Sequence, residues 1–449
     1  MSEPQTAKSE TVYTSAPWPS LAFDPADPKS ALAQLPPAAA VFALHGADSH
    51  AEPYIGRTPN LRGRLERLLQ PSARHPRRLH LAGLVRRIEW RLTGSEFESL
   101  LTQFSLLDKI FGSKALERMH LRHPAFVRFL GGNPYPRVVV THRPSLREAD
   151  WAYGPFASRA AAERYAEEML KLFLLRRCTF ELNPDPSYPG CVYSEMKMCL
   201  APCYKGCSDE RYAEEAAAVE SFLSTRGESR LVTLCTQRDQ ASANLEFESA
   251  AALHEQVQRV EAVRALSSEL VRSMSRLRAV ILQASAGPAE IAVFLFENGT
   301  LRGPAAFSTL GMRIQNEQSG STSLFLQPMA IEPVPEEQGI AINDQGSERQ
   351  EAREQGNEGT ENRVTRVPRT QLETRLETAL AALSARSRAP SATERQGHLA
   401  LLKRWYYRPE AKRTGEIFFP DADGHWPMKA VLRGIGRVAA KSLIDARHE

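Results

Sequence analysis

Five of the six cysteines, Cys178, Cys191, Cys199, Cys203 and Cys207, fall within thirty residues. Thiols clustered this tightly point to a metal before a disulfide when the chain is intracellular. The spacing C-x12-C-x7-C-x3-C over Cys178, Cys191, Cys199 and Cys203 lets four thiolates close around one tetrahedral centre, with the C-x3-C pair as the clamp. Zinc and a 4Fe–4S cluster both accept four cysteines. Cys207 follows Cys203 at the same x3 interval and competes as a ligand, which leaves one thiol over. Cys235 stands in a helical pattern and reads as a small core residue.

A second chemistry is phosphate binding. Residues 57–91 hold ten arginines (57, 62, 64, 67, 74, 77, 78, 86, 87 and 91) against only Glu66 and Glu89. His75 and His80 add adaptable donors. Such a surface tracks a nucleic-acid backbone by charge and shape, without base reading. A third feature is a pair of helical patterns meeting around 244–246. There Leu245, Phe247, Ala250, Ala251, Leu253 and Val257 make an apolar face, and Glu246, Glu248 and Glu255 stay polar. The alanines permit close helix approach, and Phe247 can anchor in a partner's groove.

The elements that must position these residues belong to a long chain. Its 449 residues suit two to four domains, and its composition, 42% hydrophobic and 24% charged, is that of an ordinary soluble protein. The net charge of +4 is mild, so local clustering decides whether nucleic acid is a partner. No apolar run approaches a membrane span, and the first twenty residues lack a secretory pattern. No membrane association is expected, a cytoplasmic location is, and the thiols should be reduced or metal-bound.

The expected fold class is α+β, in several domains. Residues 1–36, rich in Pro, Ser and Ala, read as a mobile tail. Residues 37–150 read as a small mixed sheet with helices: strands near 39–44, 54–55 and 86–92, helices from Asn60 and over 95–110, and a further strand in 134–142. YGPF at 153–156 reads as a turn, followed by an amphipathic helix over 159–178. Prolines 184, 186 and 189 exclude a long helix in the cysteine region, 151–208. Residues 209–270 read as helical, 271–330 as a small β element with an Asn298-Gly299 turn, and 331–369 as a disordered linker. Residues 370–449 read as a helical, aromatic-rich end, in which LRGIGRVAAKSL suggests one helix–hairpin–helix turn.

Two stretches together resemble the UvrC excinuclease family of bacterial nucleotide excision repair. One runs from YGPF at 153 through the cysteines to LAPC at 200–203; the other, ANLEFESAAALHEQV at 243–257, is similar to that family's UVR motif. YIGRTPNLRGRL at 54–65 resembles the second half of a GIY-YIG nuclease motif with its basic helix. The resemblance covers roughly residues 37–270 and implies a shortened UvrC homologue that binds DNA and docks onto the partner protein UvrB through the 243–257 hairpin. For the thiols it favours 4Fe–4S over zinc.

The same resemblance implies a nuclease centre with departures. Tyr54 stands at the YIG tyrosine, Arg64 at the helix arginine, and Arg57 at a family lysine. Phe42 stands where a tyrosine is expected, and SEFESLLTQF puts Gln103 on the glutamate that holds Mg²⁺ or Mn²⁺. An amide is a poor substitute for a charged carboxylate in such a site. Glu96 and Glu98, seven and five residues earlier, are read as lying off the face of Gln103. The expectation is therefore an impaired centre. The alternatives are an active metal-dependent endonuclease and a metal-stabilised interaction protein unrelated to repair.

Overall fold

The computed structural model describes residues 17–48, 50–70, 81–312, 367–385 and 389–448. It begins with β1 (Ser20–Ala22) and α1 (Pro28–Ala33), which Asp27 caps by accepting the Ser30 N–H. The apolar run AVFALH forms β2 (Ala40–His45), which turns back as β3 (Tyr54–Thr58). Then come α2 (Leu61–Leu69), β4 (Arg87–Leu92) and α3 (Glu96–Phe111). The strand order is β1-β4-β2-β3, and every pairing is antiparallel. The expected mixed sheet is thus corrected: β2 is central, both neighbours run against it, and α2 carries the chain from one side to the other.

Two cores sandwich this sheet. Phe42 and Leu44 face α2 and pack with Leu61, Leu65 and Leu68. Ile55, on the other face of β3, packs against Phe97, Leu101 and Phe104 of α3. The tail expectation fails for residues 17–36. β1 pairs with β4, and Phe23, Leu32 and Leu35 are buried. Single apolar side chains without a period close the sheet here, which no pattern announces. Residues 1–16 lie outside the described residues.

The chain continues through α4 (Ala115–Arg118), β5 (Ala125–Phe129), β6 (Val138–Thr141), β7 (Ala152–Phe156) and α5 (Arg159–Leu170). YGPF is therefore strand, not turn. Gly154 admits the ring of Phe126, whose nearest carbon lies 2.5 Å from where a Cβ would stand. The helix expected over 159–178 ends at Leu170, because Phe173 and Leu175 are buried from non-helical chain instead. Next come α6 (Val192–Glu195), α7 (Asp209–Ser224), α8 (Glu228–Ala243), α9 (Phe247–Ala265) and β8 (Arg272–Ser273). A second antiparallel sheet has the order β6-β5-β7-β8. The α8–α9 hairpin turns where expected, with Leu245 at φ +62°.

The last unit has β9 (Ala279–Ala284), β10 (Glu290–Glu297), β11 (Thr300–Ser308), α10 (Arg369–Ser384), α11 (Ala392–Tyr406), β12 (Glu416–Phe418) and α12 (Met428–His448). Asn298 and Gly299, both at positive φ, turn the β10–β11 hairpin as expected. β12 pairs with β9, so the β element and the helical end share one sheet and one core, with Leu376 and Ile435 against Val293. GIG does not form a turn but lies inside α12. A Cβ on Gly434 would stand 2.5 Å from Phe418 Cζ, so the glycine lets helix and strand meet closely. The expected linker, apart from 367–369, lies outside the described residues. Among the described residues no helix is long and apolar enough to cross a membrane.

Candidate functional site

The four cysteines of the C-x12-C-x7-C-x3-C pattern lie within electrostatic reach of one another, although the chain that carries them is mostly irregular. Backbone bonds fold the segment on itself: the Leu200 N–H donates to Leu174 O at 3.0 Å and the Asp185 N–H to Cys203 O at 2.9 Å. Arg176, buried, clamps the start. Its guanidinium donates to Tyr135 O at 2.9 Å and Phe180 O at 3.0 Å, and stands 3.6 Å from Cys178 Sγ. Burial pushes the Cys199 and Cys203 thiols up, and the negative charge of neighbouring thiolates pushes them further: Cys191 and Cys178 act on both, and Cys203 acts on Cys199. The Cys207 thiol is also raised by burial, but its charged neighbours are Asp209 and Arg211, not the other thiols. Cys235 lies on α8, half-buried against the middle core, as expected.

Four thiols are the donor type that thiolate-ligated centres use. Among the described residues, Asp421, Asp423 and His425 are the one group of three ligand-type side chains whose ligand atoms all lie within 4.8 Å of one another. The cysteine sulfurs are therefore spread wider than that. Tetrahedral zinc, with bonds of about 2.3 Å, would need them roughly 3.8 Å apart.

The residues matched to a nuclease centre are shared between the two faces of the sheet. Tyr54 and Arg57 are three apart on β3 and so point to opposite faces of the sheet. Tyr54 is half-buried with Phe42, their ring centroids 6.2 Å apart, on the α2 side. Phe42 is fully buried, opposite Gly56, and offers no hydroxyl. Arg64 is half-buried on α2. Arg57 and the half-buried Gln103 belong to the α3 side.

Sequence reading erred on Glu96. Seven residues are two helical turns, so Glu96 shares the face of Gln103. It is already engaged: Arg408 donates to both its oxygens at 2.7 and 2.9 Å, and Arg57 stands 3.6 Å away. The Arg408 bond, with the charges of Arg408, Arg57 and Arg404, holds its carboxyl below the usual range despite partial burial. Arg408 follows α11, 312 residues later, and no local signal links the two. Glu98 is buried and accepts the Gly94 N–H at 2.8 Å; burial pushes its carboxyl up.

The arginine surface is divided in the same way. Arg62 donates to Leu35 O and Ala33 O, and Arg86 to Gly83 O and Val85 O, so both tie chain segments together. Arg87 pairs with Glu89 at 2.6 Å, and Arg57 with Glu96. Arg67 bonds only the Gly63 carbonyl of its own helix and is exposed. Arg74, Arg77 and Arg78 lie outside the described residues. At the α8–α9 tip, Leu245 is 72% and Phe247 66% exposed, unusually high for such side chains. Ala251 is exposed, and Ala250 and Leu253 are half-buried, on the same helix.

A family model described as the UvrC/Cho excinuclease middle domain matches residues 127–222. That span runs from β5 through α7 and contains all four cysteines of the pattern. The match supports a UvrC-family protein. It is similar to the UvrABC system protein C of Alcanivorax borkumensis, 28% identical over 254 residues, which is 57% of this chain and 41% of that protein. It is also similar to that of Ruminiclostridium cellulolyticum, 26% identical over 316 residues, 69% of this chain and 51% of the relative. The protein of the same name from Escherichia coli is 30% identical over 213 residues, 47% of this chain and 34% of the relative. The chain thus spans about half or less of the UvrC-family relatives it matches. No solved structure matches it significantly.

Proposed function

We propose that this UvrC-family chain acts in nucleotide excision repair as a DNA-binding adaptor whose nuclease centre is impaired. The carrying observation is the non-convergence of the GIY-YIG-like residues. Tyr54 and Phe42 lie on the α2 side, Arg57 and Gln103 on the α3 side, and Glu96 is bound by Arg408. Hydrolysis of a phosphodiester with Mg²⁺ or Mn²⁺ needs a charged ligand for the ion, and positive charge and a water placed against the same phosphate. Gln103 supplies no charge, and the Glu96 charge is spent on guanidinium groups.

In this reading the α8–α9 hairpin is a UVR element. Phe247 and Leu245 are its anchors for UvrB, with Ala250, Ala251 and Leu253 completing the contact. Their exposure at the tip supports this, since an apolar side chain left in water gains most from a partner's groove. The four cysteines would hold a 4Fe–4S cluster, with zinc as the alternative. Bound there, the metal supplies cross-links between chain segments rather than chemistry on DNA. Arg176 orients Cys178, and the Leu200–Leu174 and Asp185–Cys203 backbone bonds pre-shape the loop.

The test uses purified full chain on nicked and lesion-bearing duplex with Mg²⁺ or Mn²⁺, in the presence and absence of UvrB. The adaptor reading expects DNA and UvrB binding without cleavage. Robust cleavage abolished by Tyr54→Phe overturns it. One observation favours that active reading: Glu96, a carboxylate, shares the Gln103 face, although Arg408 and Arg57 both hold it and Tyr54 lies across the sheet. Absence of both DNA and UvrB binding would leave an interaction protein unrelated to repair.

A further inference from the structure

Among the described residues Arg176 is the one lysine or arginine that is buried, at 4% exposure. A guanidinium keeps its charge in any protein, and a buried charge is costly unless an opposite charge stands beside it. Partly buried arginines elsewhere have theirs: Arg128 pairs with Glu148, and Arg278 and Arg302 with Glu297. Arg176 has no carboxylate within ion-pair distance among the described residues. Its guanidinium meets the Tyr135 and Phe180 carbonyls, which are only dipoles, and the Cys178 sulfur, 3.6 Å from Nη1. Of these three the sulfur alone can carry a full negative charge.

The cation is also fixed in place. The Arg176 N–H donates to Tyr212 Oη at 3.2 Å, and that hydroxyl donates to Pro136 O at 2.8 Å. Arg176 is thereby tied to α7 and to the loop between β5 and β6. Arg137, on the same loop, adds a second positive charge within electrostatic reach of both Arg176 and Cys178. A metal centre with four thiolate ligands is a net anion, whether it holds zinc or an oxidised 4Fe–4S core, because four negative sulfurs outweigh a doubly positive metal. A fixed guanidinium touching one of its ligands is what such an anion needs inside a protein.

We propose that Arg176 is the counter-ion of the thiolate centre, a positioning residue whose positive charge, held at Cys178, lets the loop carry a net-negative metal site. The proposal rests on the metal reading of the four cysteines and adds to it the residue that balances their charge. Orienting Cys178 needs only a hydrogen-bond donor at this place, whereas balancing charge needs a cation, and substitution separates the two.

The test follows metal loss to excess EDTA from the full chain, purified anaerobically, with zinc and iron counted by elemental analysis. Arg176→Gln keeps a donor and removes the charge; Arg176→Lys keeps the charge and loses the planar fork. Arg176→Gln should lose metal about tenfold faster or more, the scale of changes beside metal ligands, and Arg176→Lys should stay within about threefold of wild type. Thermal melting reads the same charge without a metal count. Cys178→Ser strands the buried cation, so adding Arg176→Gln to it should lower the melting temperature no further. Equal rates in wild type and both variants overturn the proposal. So does a Lys variant as leaky as the Gln variant, since bonding geometry and not charge then matters, and so does a double variant in which the two melting losses add. Wild-type chain that holds neither zinc nor iron overturns the metal reading itself.

Discussion

The N-terminal sheet and the cysteine-bearing middle region treat their polar residues in opposite ways. In residues 37–111 the scaffold follows the apolar pattern closely, yet the residues matched to chemistry are parted by the sheet or tied to carbonyls and carboxylates. In residues 171–207 regular structure is sparse, yet four cysteines drawn from this stretch lie within electrostatic reach of one another. A sheet and its helices are specified by apolar periodicity alone and persist whatever stands at the polar positions. An irregular loop has no such support. Its side chains converge only because each part is bonded to another and, in the proposed holoprotein, to a metal.

The largest expected effect tests that dependence. Cys199→Ser with Cys203→Ser removes the clamp pair. Metal content should fall to background, and limited proteolysis should open the segment around 178–207 while the N-terminal sheet stays protected. Structural zinc is worth about 10–16 kcal/mol in small zinc-finger domains, so even a fraction of that exceeds the margin of the loop. Retained metal and unchanged proteolysis would reverse the contrast between the two regions. Cys207→Ser, whose charged neighbours are Asp209 and Arg211 rather than the other thiols, should leave metal content unchanged.

Phe247→Ala comes next. The side chain is two-thirds exposed, so folding stability should move by no more than about 0.5 kcal/mol. Pull-down of UvrB should weaken about thirtyfold or more, the effect of an interface anchor. An unchanged pull-down would make the exposed tip an ordinary helical turn.

What was legible in the sequence divides along the same line. The β2–β3 pair, α2, α3, the α8–α9 hairpin and the Asn298-Gly299 turn follow from local period and turn chemistry, and they stand where expected. YGPF misled because Gly and Pro usually break structure, whereas here Gly154 gives space to Phe126. GIG misled in the same sense, with Gly434 giving space to Phe418. The Glu96–Arg408 pair was illegible because it joins residues 312 apart. Glu96 itself could have been found by counting two helical turns from Gln103.

One buried titratable group packed against α3 should have a measurable effect. His398 on α11 is buried against Phe104 of α3, their ring centroids 5.5 Å apart, and its Nδ1 accepts the Leu301 N–H at 3.1 Å. Burial pushes its pKa down to about 3. The unfolded chain therefore binds a proton near pH 6.5 that the folded chain refuses. Stability from this group is full above pH 6.5 and is lost as pH falls toward 3. Between pH 8 and pH 5 the loss is about 2 kcal/mol. Thermal melts should show it, and His398→Leu should flatten the slope over that window. An unchanged slope would mean that other groups govern acid sensitivity.

The smallest effect separates structural from DNA-facing arginines in the N-terminal unit. Arg62→Ala removes two bonds to backbone carbonyls, so it should lower the melting temperature and leave the salt dependence of DNA binding alone. Arg67→Ala removes one bond within its own helix turn and should leave the melting temperature nearly unchanged. If its side chain meets a phosphate, the slope of log affinity against log salt should fall by about 0.9. Arg64→Ala should act like Arg67→Ala. The difference between Arg62 and Arg67, five residues apart on one helix, is then a measure of how far the run of arginines is scaffold and how far it is a grip on DNA. Salt slopes unchanged from wild type in all three variants would assign the whole helix to scaffold and move DNA binding to the middle region.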